Sequence, residues 1–296
     1  MLTMYAVANR SSASGRSVVS LPSAPGSPSG SPSGSLSGSP SGSPSRSPSP
    51  PVDPAVAARA QVAAYLAQYS SHASFALLDR VTGEKILYQE SHAFETGSIV
   101  KVDILAALLW QEQQSGTGLS PAQQQLATKM ITESDNDAAS ALWNQIGEES
   151  GLAQADAVFG LTETSPGTNG YWGLTTTTAT DQLRLLELIA DPAGPLNADS
   201  RAYLLGLMSQ VDGEQRWGVP DAAAGRATEV YVKNGWLART TDDDRWIINS
   251  IGRIVEPGHD WLIVVLSNDN ATQDSGIRLV QHAADLAVQN LRTAAP

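Results

Sequence analysis

The stretch Gly97-Ser98-Ile99-Val100-Lys101 pairs a hydroxyl with an amine three residues later, an arrangement that can do acyl chemistry. A serine hydroxyl is a weak nucleophile until a nearby base takes its proton. Lysine can be that base when burial or a neighbouring cation leaves its amine neutral. If a helix begins at Ser98, the spacing sets hydroxyl and amine on one face. The helix start also offers free N–H groups and a positive end to an incoming acyl oxygen. The pair alone is weak evidence, because serine also favours helix starts as a cap, with any lysine nearby simply solvated.

Two further clusters carry polar groups of matching use. Ser134-Asp135-Asn136 falls between two helical patterns. A hydroxyl there can relay a proton toward a leaving nitrogen, and the Asn136 amide can hold both Lys101 and a substrate carbonyl. The plainer account is an interhelical turn in which Ser or Asp caps the next helix. Lys233-Asn234-Gly235-Trp236 directly follows a strand pattern. A lysine at a strand end can attract an anionic substrate group, and glycine lets a ligand backbone come close. Asn-Gly is also a strong hairpin signal, so a plain turn is the competing account.

The elements that must position these residues form an α+β pattern. An Ala-rich helix over 54–69 precedes two short strands, 74–79 and 85–89, joined as a hairpin. A strongly apolar helix covers 98–113, and helical patterns continue over 121–133, 137–146, 180–189 and 199–208. Strand character returns at 229–232, 246–255 and 261–266, rich in β-branched and aromatic residues, before a last helix over 274–291. Short connections favour antiparallel pairing. The expected architecture is a five-stranded antiparallel sheet from both chain ends, flanked by the terminal helices. An all-helical lobe of about residues 100–225 is inserted between its halves.

The three clusters occur in order at a helix start, an interhelical loop and a strand end. In that order and context the chain resembles the serine β-lactamase and penicillin-binding (D,D-peptidase) superfamily, whose signature is SxxK, SDN and KTG. The resemblance covers roughly 53–296. Two more stretches add to it: Arg245-Trp246-Ile247-Ile248-Asn249-Ser250-Ile251-Gly252, similar to the family's penultimate strand with its carboxylate-binding arginine, and Leu174-Thr175-Thr176-Thr177-Thr178, similar to the threonine run after the Ω-loop. It implies that Ser98 is acylated while Lys101 helps remove its proton. It further implies that Ser134 shuttles the proton to the leaving nitrogen and that Asn136 positions substrate and Lys101. Lys233 and Arg245 are then the positive charges for a substrate carboxylate, with Asn234 and Gly235 at the substrate. The backbone N–H groups of Ser98 and Trp236 form the oxyanion hole.

The chain departs from that pattern twice. Asn234 stands where the family carries Thr or Ser. The Ω-loop motif Glu-x-x-Leu-Asn is missing, and Glu163 is the one carboxylate in residues 162–173. In class A β-lactamases the Ω-loop glutamate activates the water that releases the acyl group. The expectation is therefore a serine hydrolase that forms an acyl-enzyme on Ser98 with an amide or ester, a D-alanyl peptide or a β-lactam among them. The alternatives are a true β-lactamase with another deacylation route, and a binding or sensing module that does not turn over.

Composition narrows the field. The net charge of −12, without a Lys/Arg cluster, disfavours nucleic acid and anionic membranes as partners. There is no cysteine, so thiol nucleophiles and cysteine metal sites are out, and the four histidines show no metal spacing. No Gly-x-Ser-x-Gly elbow points to a Ser–His–Asp hydrolase. No metal or other cofactor is expected, and the partner is a small molecule or peptide bearing a carboxylate, met by a monomer. Residues 1–52 are rich in Ser, Pro and Gly and read as a disordered tether to a hydrolase domain over 53–296. Residues 1–17 hold no apolar run long enough for a signal peptide, and no stretch reaches the about 18 apolar residues of a membrane helix. A spacer of this kind still suggests an extracytoplasmic domain, with an export signal encoded upstream.

Overall fold

A computed structural model describes residues 53–69, 72–239 and 243–292. The tether expected over 1–52 lies outside the described residues. Helix α1 (Pro54–Leu66) starts on an Asp53 cap whose carboxylate accepts the Ala55 N–H, with Pro54 at its first position. Strands β1 (His72–Asp79) and β2 (Lys85–Tyr88) form the expected hairpin. Strands β5 (Glu229–Arg239), β6 (Arg245–Glu256) and β7 (His259–Asn270) arrive after the helical lobe. The antiparallel sheet has the order β2-β1-β7-β6-β5, so the two ends of the chain meet where β1 pairs with β7. Its middle strands read as near-continuous apolar runs because both faces are covered. Helix α8 (Gln273–Arg292) lays Leu279, Val280, Ala283, Ala287, Val288 and Leu291 into the core of one face. That is the one-sided stripe of an amphipathic helix.

The other face receives the helical lobe. Helix α2 (Val100–Ser115) is its axis, with every residue from Val100 to Leu109 buried. A short two-stranded ladder, β3 (Phe94–Glu95) with β4 (Thr176–Thr177), lies outside the main sheet. Around α2 stand α3 (Pro121–Thr128), α4 (Asn136–Ile146), α5 (Glu148–Phe159), α6 (Ala179–Ala190) and α7 (Ala198–Ser209). The sequence reading has no counterpart for α5, a helix with Gly151 inside it and few large apolar residues. That glycine is a packing requirement: a Cβ on it would come within 1.7 Å of the Ile146 carbonyl.

Beneath the lobe's centre lie three acids, Asp103, Asp156 and Asp181, all nearly inaccessible. Asp181 is well held, accepting from the Glu163 N–H and the Thr164 hydroxyl at 2.8 Å each. Both carboxylate oxygens of Asp156 are buried without a hydrogen-bond partner. Burial, with the charges of Asp103 and Asp181, pushes the Asp156 carboxyl up to about 8 from its ordinary 3.8. The folded chain therefore keeps a proton that the unfolded chain releases near pH 4, and this contribution to stability is lost as pH rises from there to about 8. Asp156→Asn, which carries no charge at any pH, should be the more stable protein at pH 8 by roughly 1–3 kcal/mol. Urea unfolding at pH 5 and pH 8 checks this: the stability lost between the two should be smaller in the variant, and an unchanged loss would refute the assignment.

Candidate active site

The segment that carries Ser98 is fixed before α2 begins. A 3₁₀ turn, Gly97–Ile99, precedes the helix, so Ser98 lies just ahead of α2 and not at its first residue. Residues i and i+3 fall on one side in such a turn as well, and Lys101 follows one turn later. Gly97 adopts φ +53, a left-handed conformation that a side chain would resist. Asn249 of β6 anchors the approach, its amide donating to the carbonyls of Glu95 and Thr96 at 2.9 and 3.0 Å. Ser98 is partly exposed, whereas Lys101 is fully buried.

Lys101 points into the loop between α3 and α4. A π-helical turn, Lys129–Glu133, ends at Ser134, which is held at φ +56. Strained backbone of this kind is often found at functional sites. Asp135 then caps α4 by accepting the Ala138 N–H at 2.7 Å, the ordinary structural role such a residue can have. Its neighbours serve the lysine. Lys101 Nζ donates to the Ser134 carbonyl at 2.6 Å, the Ser134 Oγ at 3.1 Å and the Asn136 Oδ1 at 2.8 Å. Lys233 Nζ donates to the same Ser134 Oγ at 3.0 Å, so one hydroxyl bridges two buried amines. Burial pushes the Lys101 amine down to about 6, with the Lys233 charge adding to the effect and Asp135 opposing it. Burial alone brings Lys233 to about 7.

β5 closes the site from the sheet side. It runs straight through Lys233-Asn234-Gly235 and pairs with β6 as far as Arg239 with Arg245. The cluster is therefore mid-strand, and the Asn-Gly pair makes no turn. Gly235 lets the strand touch the turn before α2: a Cβ on it would meet the Thr96 carbonyl at 2.6 Å and the Ser98 nitrogen at 2.7 Å. The Trp236 nitrogen stands 3.2 Å from where Gly97 would carry a Cβ. The backbone N–H groups of Ser98 and Trp236 thus belong to one close contact between helix start and strand.

Two expected residues are placed differently. Arg245 pairs with Arg239, six residues along β5 from Lys233, which is about 20 Å at the rise of a strand. Its guanidinium donates to the Asp269 carbonyl, so the structure does not bring it to the site. Its neighbourhood in the sequence concealed the length of the hairpin. Asn234 is fully buried, and its amide donates to the carbonyls of Gln215 and Trp217 at 2.7 and 2.8 Å. It fastens the loop beside β5 and does not face a substrate.

Sequence reasoning missed Trp172, whose ring centroid lies 5.0 Å from Lys101 Nζ. It belongs to the segment before the threonine run. That segment is pinned by the Ser165–Thr176 bridge and by the Gly167 N–H donating to Thr175 Oγ1 at 3.0 Å. Glu163, the carboxylate of this segment, accepts from the Thr178 hydroxyl.

A sequence profile of the β-lactamase enzyme family matches residues 57–124 and 113–291. The chain belongs to that family. The protein named "Putative lipoprotein LppW", from Mycobacterium bovis and from Mycobacterium tuberculosis, is 30% identical over 200 residues, 66% of this chain and 62% of the relative. Solved structures share the fold at low identity. PBP-A superposes with a TM-score of 0.70 at 18% identity, covering 82% of this chain and 99% of its own. The TLA-1 extended-spectrum β-lactamase does so at 0.70 and 17%, covering 81% and 99%. Among the described residues no helix is long and apolar enough to cross a membrane.

The contact at Gly235 yields a direct test. Gly235→Ala must push β5 away from residues 96–99, because the new methyl has backbone atoms within 3 Å. Any acylation of Ser98 by a β-lactam should fall by about 100-fold while circular dichroism stays native. Wild-type acylation in a folded variant would refute the close contact.

Proposed function

We propose that this family member is a serine acyl-transfer hydrolase that attacks an amide, cyclic amide or ester through Ser98. The observation that carries the reading is the Lys101–Ser134–Lys233 chain, two fully buried amines bridged by one hydroxyl. With its amine neutral near pH 7, Lys101 takes the Ser98 proton as Oγ attacks the acyl carbon. The developing oxyanion is met by the N–H groups of Ser98 and Trp236. A neutral lysine keeps two N–H groups for the Ser134 carbonyl and the Asn136 Oδ1, which leaves its lone pair for the Ser98 proton and the Ser134 hydroxyl proton for the leaving nitrogen. The proton taken from Ser98 can pass through Ser134 Oγ to the leaving nitrogen, and the bond to that nitrogen breaks. Lys233, charged, faces a substrate carboxylate, and with Arg245 elsewhere it is the cation expected for that part.

The substrate class is a carboxylate-bearing amide, such as a D-alanyl peptide or a β-lactam. One structure sharing the fold is a point mutant of PBP-A as an acyl-enzyme complex with penicillin G, which supports the choice of probe. A second reading, a module that is acylated and keeps its adduct, is favoured by one observation: the side-chain partners of Lys101 are Ser134, Asn136 and Trp172, and Glu163 is engaged with Thr178. The lipoprotein name of the mycobacterial relatives supports an extracytoplasmic setting.

Mass spectrometry of the protein treated with penicillin G should show one adduct, on Ser98, absent from Ser98→Ala. No adduct with β-lactams, phosphonates or esters would end the reading. The pH profile of acylation adds a sign. The rate should climb through about pH 6 as Lys101 loses its proton and decline above about 7 as Lys233 loses its own. A rate that only rises, up to pH 10, would mean that Lys101 keeps an ordinary amine.

A further inference from the structure

We propose that Trp172 governs how long an acyl group stays on Ser98, because its indole packs over the Lys101 amine and keeps water from that part of the site. The inference rests on the acylation reading above and concerns the step after it.

The ring is held firmly. Trp172 is 8% exposed, and its indole N–H donates to Ser140 Oγ at 3.1 Å. The Ser140 hydroxyl donates in turn to the Asn136 carbonyl at 3.0 Å, so the tryptophan is tied to the residue that also holds Lys101. Its backbone lies in a 3₁₀ turn, Trp172–Leu174, and the following Thr175 carbonyl accepts the Thr96 N–H at 2.8 Å. That bond docks the turn beside the segment carrying Ser98.

The chemistry of an indole decides the rest. Hydrolysis of the serine ester needs a water oxygen to attack the acyl carbon while a base accepts the water's proton. The bond from the acyl carbon to Ser98 Oγ then breaks, Oγ regains a proton, and a carboxylic acid leaves. An indole N–H is a donor only and has no lone pair for that proton. Trp172 therefore contributes no base, and its ring keeps water from the amine it covers. Acylation needs no such water, because there Lys101 takes its proton from Ser98.

The test follows the gain and loss of the penicillin G adduct by intact-mass spectrometry in the full chain. Wild type, Trp172→Phe, Trp172→Ala and Trp172→Glu are compared, with thermal melting as a check on folding. Trp172→Phe keeps a ring and should hold its adduct as long as wild type does. Trp172→Ala should lose it roughly 10-fold faster and Trp172→Glu, which supplies a carboxylate base, about 100-fold faster. Lifetimes are read after free penicillin G is removed, so they do not depend on acylation, which should slow at pH 7 in Trp172→Ala and Trp172→Glu as water or a carboxylate beside Lys101 restores its proton. Loss from the Glu variant should also slow in acid as its carboxylate is protonated, which a packing defect would not produce. Equal adduct lifetimes across the folded variants would overturn the inference and leave acylation at Ser98 standing. A wild-type protein that forms no adduct would overturn both.

Discussion

An amine taken out of water loses proton affinity unless a carboxylate compensates for it. Lys101 is placed where that loss is large: fully buried, with neutral hydrogen-bond partners and a second buried amine sharing its Ser134 hydroxyl. Most of the architecture serves to keep it there. Helix α2 carries it into the core, the left-handed Ser134 turns its carbonyl and hydroxyl inward, and Asn136 opens α4 with its amide oxygen on the lysine. Asp135, the acid between Ser134 and Asn136, is engaged as the cap of α4.

The second constraint is backbone proximity. The strand that brings Lys233 must nearly touch the turn that brings Ser98, and Gly235 and Gly97 are where a side chain would prevent it. Asn249 fixes the same approach from β6, and Asn234 fastens the neighbouring loop from β5. The sheet is assembled from both sides of the helical lobe, so β5 and the Ser98 turn, far apart in sequence, are neighbours only through the tertiary fold. The residues proposed as nucleophile, base and oxyanion donors are thus brought together by tertiary contact and not by any one local motif.

Much of this was legible in the sequence. Alternating and continuous apolar runs marked the five strands, and helical spacing marked most of the lobe, because burial imposes those periods directly. The three polar clusters were readable for the same reason: each pairs residue types with a context that suits their chemistry. What stayed hidden depends on distances that spacing does not encode. Arg245 was assigned to the site by the likeness of its strand to the family's penultimate one, but the antiparallel register pairs it with Arg239, six residues along β5 from Lys233. Asn234 was read as facing substrate, while strand alternation and a loop seventeen or more residues upstream bury its amide. Helix α5 lacks the apolar stripe that would announce it, and Trp172 has no motif at all. Only the folded path of its segment lays the ring on Lys101.

Whether Lys101 is a neutral amine at working pH can be measured directly in this chain. It contains four lysines, Lys85, Lys101, Lys129 and Lys233, so a carbon-detected titration of lysine side chains gives few signals, assignable with Lys101→Arg. One signal should titrate near pH 6 and disappear in that variant, with Lys233 following near 7. A Lys101 signal that keeps its proton to pH 10 would contradict a neutral amine.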